Sequence, residues 1–280
     1  MPGVFVVTDS SCDLEQDDID PFKIEIVPLT IRFGSEEFTD RRDLSVEDFY
    51  QRMAHTDGLP QTACPPPGLF EEAFRRAIEA GAEAVVCLTI SSELSTTFQS
   101  ALTAASAFQG PIVIHVVDSR TVSSGLGTLV IEAAKAAAAG ADVDTVLRRV
   151  SDLIARTHVF AALNTLENLK KGGRIGGATA MVGSLLSIKP VIDLTGGVVH
   201  EAGKARTRKR ALQMLSDRMK AAGQIEHVAV MHSGAPDIDS FLDLIAPWIS
   251  RAAIRIGTLG AVVGVHGGAQ IIGVSWIAAA

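Results

Sequence analysis

An apolar run, Ala84-Val85-Val86-Cys87-Leu88-Thr89-Ile90, passes directly into Ser91-Ser92-Glu93-Leu94-Ser95-Thr96-Thr97 and on into Phe98-Gln99-Ser100-Ala101-Leu102. The first segment is short, uncharged and rich in β-branched residues, which reads as a buried strand; the last reads as a helix. A strand that hands over to a helix in this way belongs in an α/β sheet. The start of that helix leaves backbone N–H groups unpaired, and its dipole favours an anion. Three serines and two threonines within seven residues add further donors. Capping by Ser92 or Ser95 alone accounts for one such turn. Other parts of the chain converge on it.

Two more apolar runs end in the same kind of residue. Val4 to Thr8 leads into Asp9-Ser10-Ser11-Cys12-Asp13, and Ile112 to Val117 leads into Asp118-Ser119-Arg120. Helical patterns over Leu69–Ala80, Thr128–Ala139 and Val143–Thr157 separate or follow these strands. The alternation predicts a mainly parallel sheet with flanking helices, the loops at its strand C-termini forming a polar crevice. Ile24–Leu29 and Thr30–Phe33 suggest further strands, and Ser45 opens a helix with Asp48 three residues on. Pro65-Pro66-Pro67 fixes φ over three residues and holds Thr62 in a stiff loop.

Beyond about Arg156 the pattern changes, and the chain divides into an N-terminal α/β domain, 1–156, and a C-terminal α/β domain, 157–280, with a mixed or antiparallel sheet. A short helix over Leu166–Lys171 is closed by Gly172-Gly173, with Arg174 following among glycines. Ala180–Leu186 reads as helix, and Ile188–Leu194 with Val198–His200 as a two-strand meander turning at Gly196-Gly197. The basic run Lys204 to Arg210 leads into a helix through about Ala222. Strands are expected at His227–Met231, Ala253–Gly257, Ala261–His266 and Ile271–Ala279, with a helix over Asp237–Ser250 kinked at Pro247.

Composition narrows the function. With 47% hydrophobic and 20% charged residues the chain is an ordinary folded protein, and a net charge of −7 argues against wholesale nucleic-acid binding. Cys12, Cys64 and Cys87 are odd in number and widely spaced, which fits reduced thiols of a cytoplasmic protein and no zinc site. The N-terminus lacks the basic start and apolar core of a signal peptide. The uncharged stretch from Gly257 to the C-terminus is broken by glycines and polar residues, as strands and loops would be and a membrane span would not. Nucleophile-elbow, phosphate-loop and dinucleotide fingerprints are absent from the sequence, as are His-x-x-x-His and clustered-carboxylate metal patterns. Arg174 and the basic run are read either as solvated charges or as contacts for a carboxylate or phosphate. His266, in a Gly-rich loop, is read either as a hydrogen-bonded core residue or as a ligand contact. The residues themselves thus support a ligand with a small anionic head in an interdomain cleft.

Taken together, Val7–Leu14, Thr62–Gly68, Ile90–Ser100, Leu166–Ile175, Gly183–Pro190 and Gly264–Gly268 resemble the bacterial DegV family, in order and over essentially the whole chain. The resemblance implies two α/β domains enclosing one long-chain fatty acid, its chain in an apolar tunnel and its carboxylate at the domain interface. Some members of that family are the lipid-binding subunit of fatty acid kinase. They present the carboxylate to a separate ATP-binding subunit for phosphorylation to acyl phosphate, and are not enzymes on their own. Carried over, the head-group residues are Thr62, His266 and a serine of the turn, Ser95 before Ser92, with Thr96 beside them. Arg174 matches a basic element near the cleft mouth, and Lys204, Arg206 and Arg208 match elements suited to the kinase partner. The family's Thr-Ser-Gln-Pro-Ser loop is Thr62-Ala63-Cys64-Pro65-Pro66 here, and its Ser-Gly-Thr is Ser95-Thr96-Thr97. No cofactor, metal or stable membrane insertion is implied. The alternative reading is a hydrolase or acyltransferase using Ser95 or Thr62 with His266.

Overall fold

The structure, a computed structural model, describes residues 3–179 and 188–279. The chain opens with β1 (Val4–Asp9), a 3-10 turn over Ser10–Cys12, α1 (Gln16–Ile19) and β2 (Glu25–Val27). β3 (Thr30–Phe33), β4 (Glu36–Thr39) and β5 (Gln61–Ala63) make a small antiparallel sheet in the order β4-β3-β5, with α2 (Val46–His55) between the last two. Then follow α3 (Pro67–Glu79), β6 (Ala84–Thr89), α4 (Thr97–Ala107), β7 (Val113–Asp118), α5 (Ser124–Ala138) and α6 (Val143–Arg156). β2-β1-β6-β7 is a parallel sheet. Its alternating side chains bury both faces, as such a sheet requires. Val6, Val86 and Leu88 pack under α5 and α6, while Val7, Val85 and Cys87 pack under α3 and α4.

From Thr157 onward every strand joins one mixed six-stranded sheet. β8 (Thr157–Ala162), α7 (Glu167–Lys171), β9 (Lys189–Asp193), β10 (His200–Ala205) and α8 (Arg208–Ala221) come first. β11 (Ile225–His232), α9 (Ile238–Ile245), β12 (Ile254–Thr258), α10 (Ala261–Gly267) and β13 (Ile272–Ala278) complete it, in the order β10-β9-β8-β13-β11-β12. One face, with Phe160, Val230, Val274 and Trp276, packs under α8 and α9. The other, with Ala161, Ile192 and Met231, looks toward the N-terminal half of the chain.

Several expectations change. Thr62 lies on the edge strand β5 and not in a proline-stiffened loop, and the strand expected over Val198–His200 runs instead over His200–Ala205. Residues 261–266 form α10, not a strand: β13 lies on the far side of β11 from β12, so the chain must cross over, and Ala261, Val262 and Val265 make a helical stripe against Ile31, Phe33 and Phe49. The helix expected from Thr128 begins four residues earlier, at Ser124, and the helix toward Pro247 ends at Ile245. The helix expected over 180–186 lies outside the described residues, except that Thr179 precedes it. Among the described residues no helix is long and apolar enough to cross a membrane.

Candidate functional site: an apolar cavity with one polar end

The free face of the six-stranded sheet is roofed by the strand ends of the parallel sheet, and between them lies a cavity of about 890 Å³, its open mouth included. Ala161, Ile192 and Met231 form its floor, Ile90 and Val122 its roof, and α10 supplies Val262 and Val263 along one side. Four of the expected site residues line it: Thr62, Ser95, Arg174 and His266.

Each reaches the cavity from a different element. Thr62 is on β5, an edge strand paired only to β3, where the prolines that follow stop further pairing. His266 is in the last turn of α10, and its Nε2 lies 2.9 Å from the Thr62 hydroxyl. Burial, with the Arg174 guanidinium adding to it, pushes the imidazole down to about 4, so the ring is neutral near pH 7. Its Nδ1 is buried without a hydrogen-bond partner among the described residues. Gly172, at the end of α7, lies against that nitrogen: a Cβ there would sit 2.5 Å from it. Asn168 of α7 donates from Nδ2 to the carbonyl of Val265 at 2.9 Å, tying α7 to α10. Arg174 is half-buried and spends donors on the carbonyls of Gly172 (2.7 Å) and Leu94 (3.3 Å), which holds its positive charge beside His266. Ser95 Oγ lies 2.8 Å from Thr97 Oγ1 and accepts from Thr97 N–H at the start of α4.

The remaining expected residues lie elsewhere. Ser92 turns away from the cavity; its Oγ donates to Asp118 at 2.6 Å and its N–H to the same carboxylate. Thr96 is exposed and donates to Cys64 Sγ at 3.1 Å, outside the cavity lining. Arg208 is not a free surface charge, because it pairs with Asp237 at 2.9 Å and donates to the Ala162 carbonyl. Lys204 lies 3.5 Å from Glu201, and Arg206 is exposed. For the hydrolytic alternative, Thr62 and His266 have the spacing of a nucleophile and base, but among the described residues no side chain orients Nδ1, and Ser95 is engaged with Thr97.

Buried polar groups at the strand ends hold these pieces in place. Asp9, fully buried, accepts from Ser11 and from the N–H of Ile90 (2.8 Å), fixing the start of the serine-rich turn. Asp13 accepts from Ser123 Oγ (2.6 Å) and from the N–H of Gly260 (3.0 Å), which joins the N-terminal half to the start of α10. Burial raises all three acids of this region, Asp13 to about 7 and Asp40 to about 6, with Asp9 also raised. Ser91 Oγ donates to the carbonyl of Gly197 at 2.9 Å, and Gly197 has φ +82° and no room for a Cβ beside that serine. The Asp-Ser strand ends were the visible signal; which atoms they grip depends on partners more than 80 residues away.

The comparisons follow this architecture. The family described as "Uncharacterised protein, DegV family" matches residues 4–279. A DegV domain-containing protein of Halalkalibacterium halodurans is 33% identical over 280 residues, covering 99% of each chain. One from Streptomyces coelicolor is 34% identical over 275 residues, covering 97% of each. Among solved structures, a DegV family protein from Thermus thermophilus described for its fatty acid binding superposes with TM-score 0.91 at 32% identity, over 99% of each chain. A stearic-acid-binding protein from Eubacterium ventriosum superposes with TM-score 0.85 at 26% identity, over 98% of this chain and 97% of the other. The chain described above belongs to the DegV family.

Proposed function

We propose that this protein binds one long-chain fatty acid, with the acyl chain in the apolar cavity and the carboxylate at the end where Thr62, Ser95, His266 and Arg174 lie. The observation that carries the reading is the contrast within one cavity: walls that are mostly aliphatic, with hydroxyl, imidazole and guanidinium groups gathered around His266. An ionised head buried there needs hydrogen bonds, each worth about 1.5–3 kcal/mol to a charged group. The tail contributes about 0.8 kcal/mol per buried CH₂. A neutral His266 leaves Arg174 as the cation beside the carboxylate. Fatty acid binding described for the Thermus thermophilus and Eubacterium ventriosum proteins supports the same assignment.

The proposal extends to a division of labour. Residues 1–156 and 157–280 act as two lobes closing on the ligand, and the head is offered to a separate ATP-binding kinase subunit that forms the acyl phosphate. Lys204 and Arg206 are the charges proposed for that contact; Arg208 is left out because Asp237 neutralises it. The protein itself is a carrier of cytoplasmic fatty acid, without a catalytic step of its own. Native mass spectrometry of freshly purified protein is expected to show one bound long-chain fatty acid per chain. Protein that is empty and also fails to take up added palmitate or oleate refutes the assignment. Acyl phosphate formed only when a fatty acid kinase, ATP and the loaded protein are combined tests the partner.

A further inference from the structure

We infer that the first turn of α5, through Ser124 and its bonded partner Ser275, is the stop against which the far end of the ligand rests and which sets its length. The inference depends on the fatty-acid reading and deepens it, since the cavity's closed end decides which chain lengths fit.

Two elements running alongside the cavity place this turn opposite the polar end. α10 starts at Gly260, whose N–H donates to Asp13, the same carboxylate that accepts from Ser123. Its other end carries His266. Six residues of helix separate them by about 9 Å. β13 runs back in the opposite direction. Its approach begins at Ile271, whose side chain fills the space above Gly267, next to His266. Four residues later comes Ser275, whose Oγ lies 2.7 Å from Ser124 Oγ. That is about 14 Å of extended chain. The helix and the strand therefore agree that Ser123 and Ser124 sit at the end remote from Thr62 and His266.

The end is closed and firm. A Cβ at Gly125 would meet Thr121 Oγ1 at 2.2 Å and Val159 at 2.9 Å, so no space remains behind the turn on that side. Arg255 donates to the Ser124 carbonyl at 3.2 Å from outside and pairs with Asp18 at 3.5 Å, sealing the other side. Ser124 and Ser275 are both buried, and their hydroxyls bond each other. A satisfied hydroxyl pair asks nothing further of a methyl terminus that packs on it, whereas a lone buried hydroxyl would. Ser275 does not itself line the cavity but pairs in register with Val159 and bonds Ser124, which both do, so a larger side chain at 275 pushes the Ser124 turn into the closed end and leaves the polar end untouched.

The test offers the delipidated protein an equimolar mixture of even-numbered saturated acids from laurate to arachidate and reads the bound species by mass spectrometry. Ser275→Leu is expected to move the preferred acid at least one step shorter, and Ser275→Val, which suits a strand, to move it in the same direction. The double variant S124A/S275A is expected to move it longer. Circular dichroism verifies folding, and the Val variant carries the test if the Leu variant does not fold. A length profile unchanged in all variants, or affinity lost equally for every length, overturns the stop while leaving fatty acid binding intact. Parent protein that binds none of the acids refutes the fatty-acid reading itself.

Discussion

Gly172→Ala is the sharpest probe of the polar end. The glycine has φ −77° and ψ −7°, a conformation open to alanine, so backbone strain plays no part. Without a neighbour the change would stabilise the protein by about 0.4–1 kcal/mol, through the lost freedom of the unfolded chain. The added methyl, however, falls 2.5 Å from His266 Nδ1 and 3.2 Å from Cε1, and 3.0 Å from the Asn168 carbonyl. Overpacking of this kind costs about 1–3 kcal/mol, so the net change is destabilising by about 0–2.5 kcal/mol from the difference of those ranges. At roughly 2–4 °C per kcal/mol the melting temperature falls by about 10 °C at most. The decisive measurement is a double-mutant cycle with His266→Ala. Removing the ring relieves the clash, whereas the Asn168 contact is common to both backgrounds and cancels. A coupling of about 1–3 kcal/mol is expected, and fatty acid affinity in Gly172→Ala should fall because the ring is displaced from Thr62. Additive effects within about 0.5 kcal/mol, with undiminished affinity, would refute the placement of His266 against α7.

Thr62→Val keeps the shape of the side chain and removes its hydroxyl; fatty acid affinity should weaken about 10- to 100-fold, the worth of one charged hydrogen bond, as read by titration calorimetry. For Asp13, the folded-state value near 7 lies above the ordinary carboxylate value, so the folded protein binds the proton more tightly than the unfolded chain. Its contribution is therefore greatest at low pH, is lost as pH rises from about 4 to about 7, and is flat above. Asp13→Asn should flatten the fall in urea-unfolding stability across that window, while an unaltered slope would count against the burial. Arg208→Ala should lower the melting temperature by breaking the pairs with Asp237 and the Ala162 carbonyl, at a cost of about 1–3 kcal/mol. Arg206→Ala should leave it within about 1 °C, in keeping with an exposed side chain.

Local pattern carried the framework and failed where distant atoms decide. β1, β6 and β7 were legible because each is a largely apolar, β-branched run leading into Asp or Ser, and the Gly196-Gly197 turn because few other residues accept positive φ. α10 was not, because six of its seven residues are small or apolar and His266 alone gives no polar face from which to read a helical period. Ser92 and Ser95 are equivalent in a sequence; Asp118, 26 residues beyond Ser92, captures the first and leaves the second at the cavity. Arg206 and Arg208 likewise look alike in a basic run until Asp237 pairs with one of them. Thr62 and His266 stand 204 residues apart, and no periodicity links them, so their pairing came from family resemblance and not from the residues alone.

The cavity belongs to neither half of the chain. Thr62 and Ser95 come from before residue 157, Arg174 and His266 from after it, and each half alone presents an apolar face with an incomplete polar end. The halves are joined by the apolar packing of α10 on Ile31, Phe33 and Phe49 and by single polar bonds: Asp13 to Gly260, Ser91 to Gly197, Ser124 to Ser275, and Tyr50 to the Leu259 carbonyl at 3.0 Å. Bonds of this kind fix register more than they add stability, since each is worth only about 0.5–1.5 kcal/mol net but is costly to leave unmade. Apolar contact between the halves is interrupted over the very area the cavity occupies. A ligand that fills it supplies the missing apolar contact to both halves at once, and whatever binds the folded state stabilises it in proportion to its saturation. The polar end depends on that packing too, because Thr62 and His266 come from opposite halves and meet only while α10 stays seated on Ile31, Phe33 and Phe49.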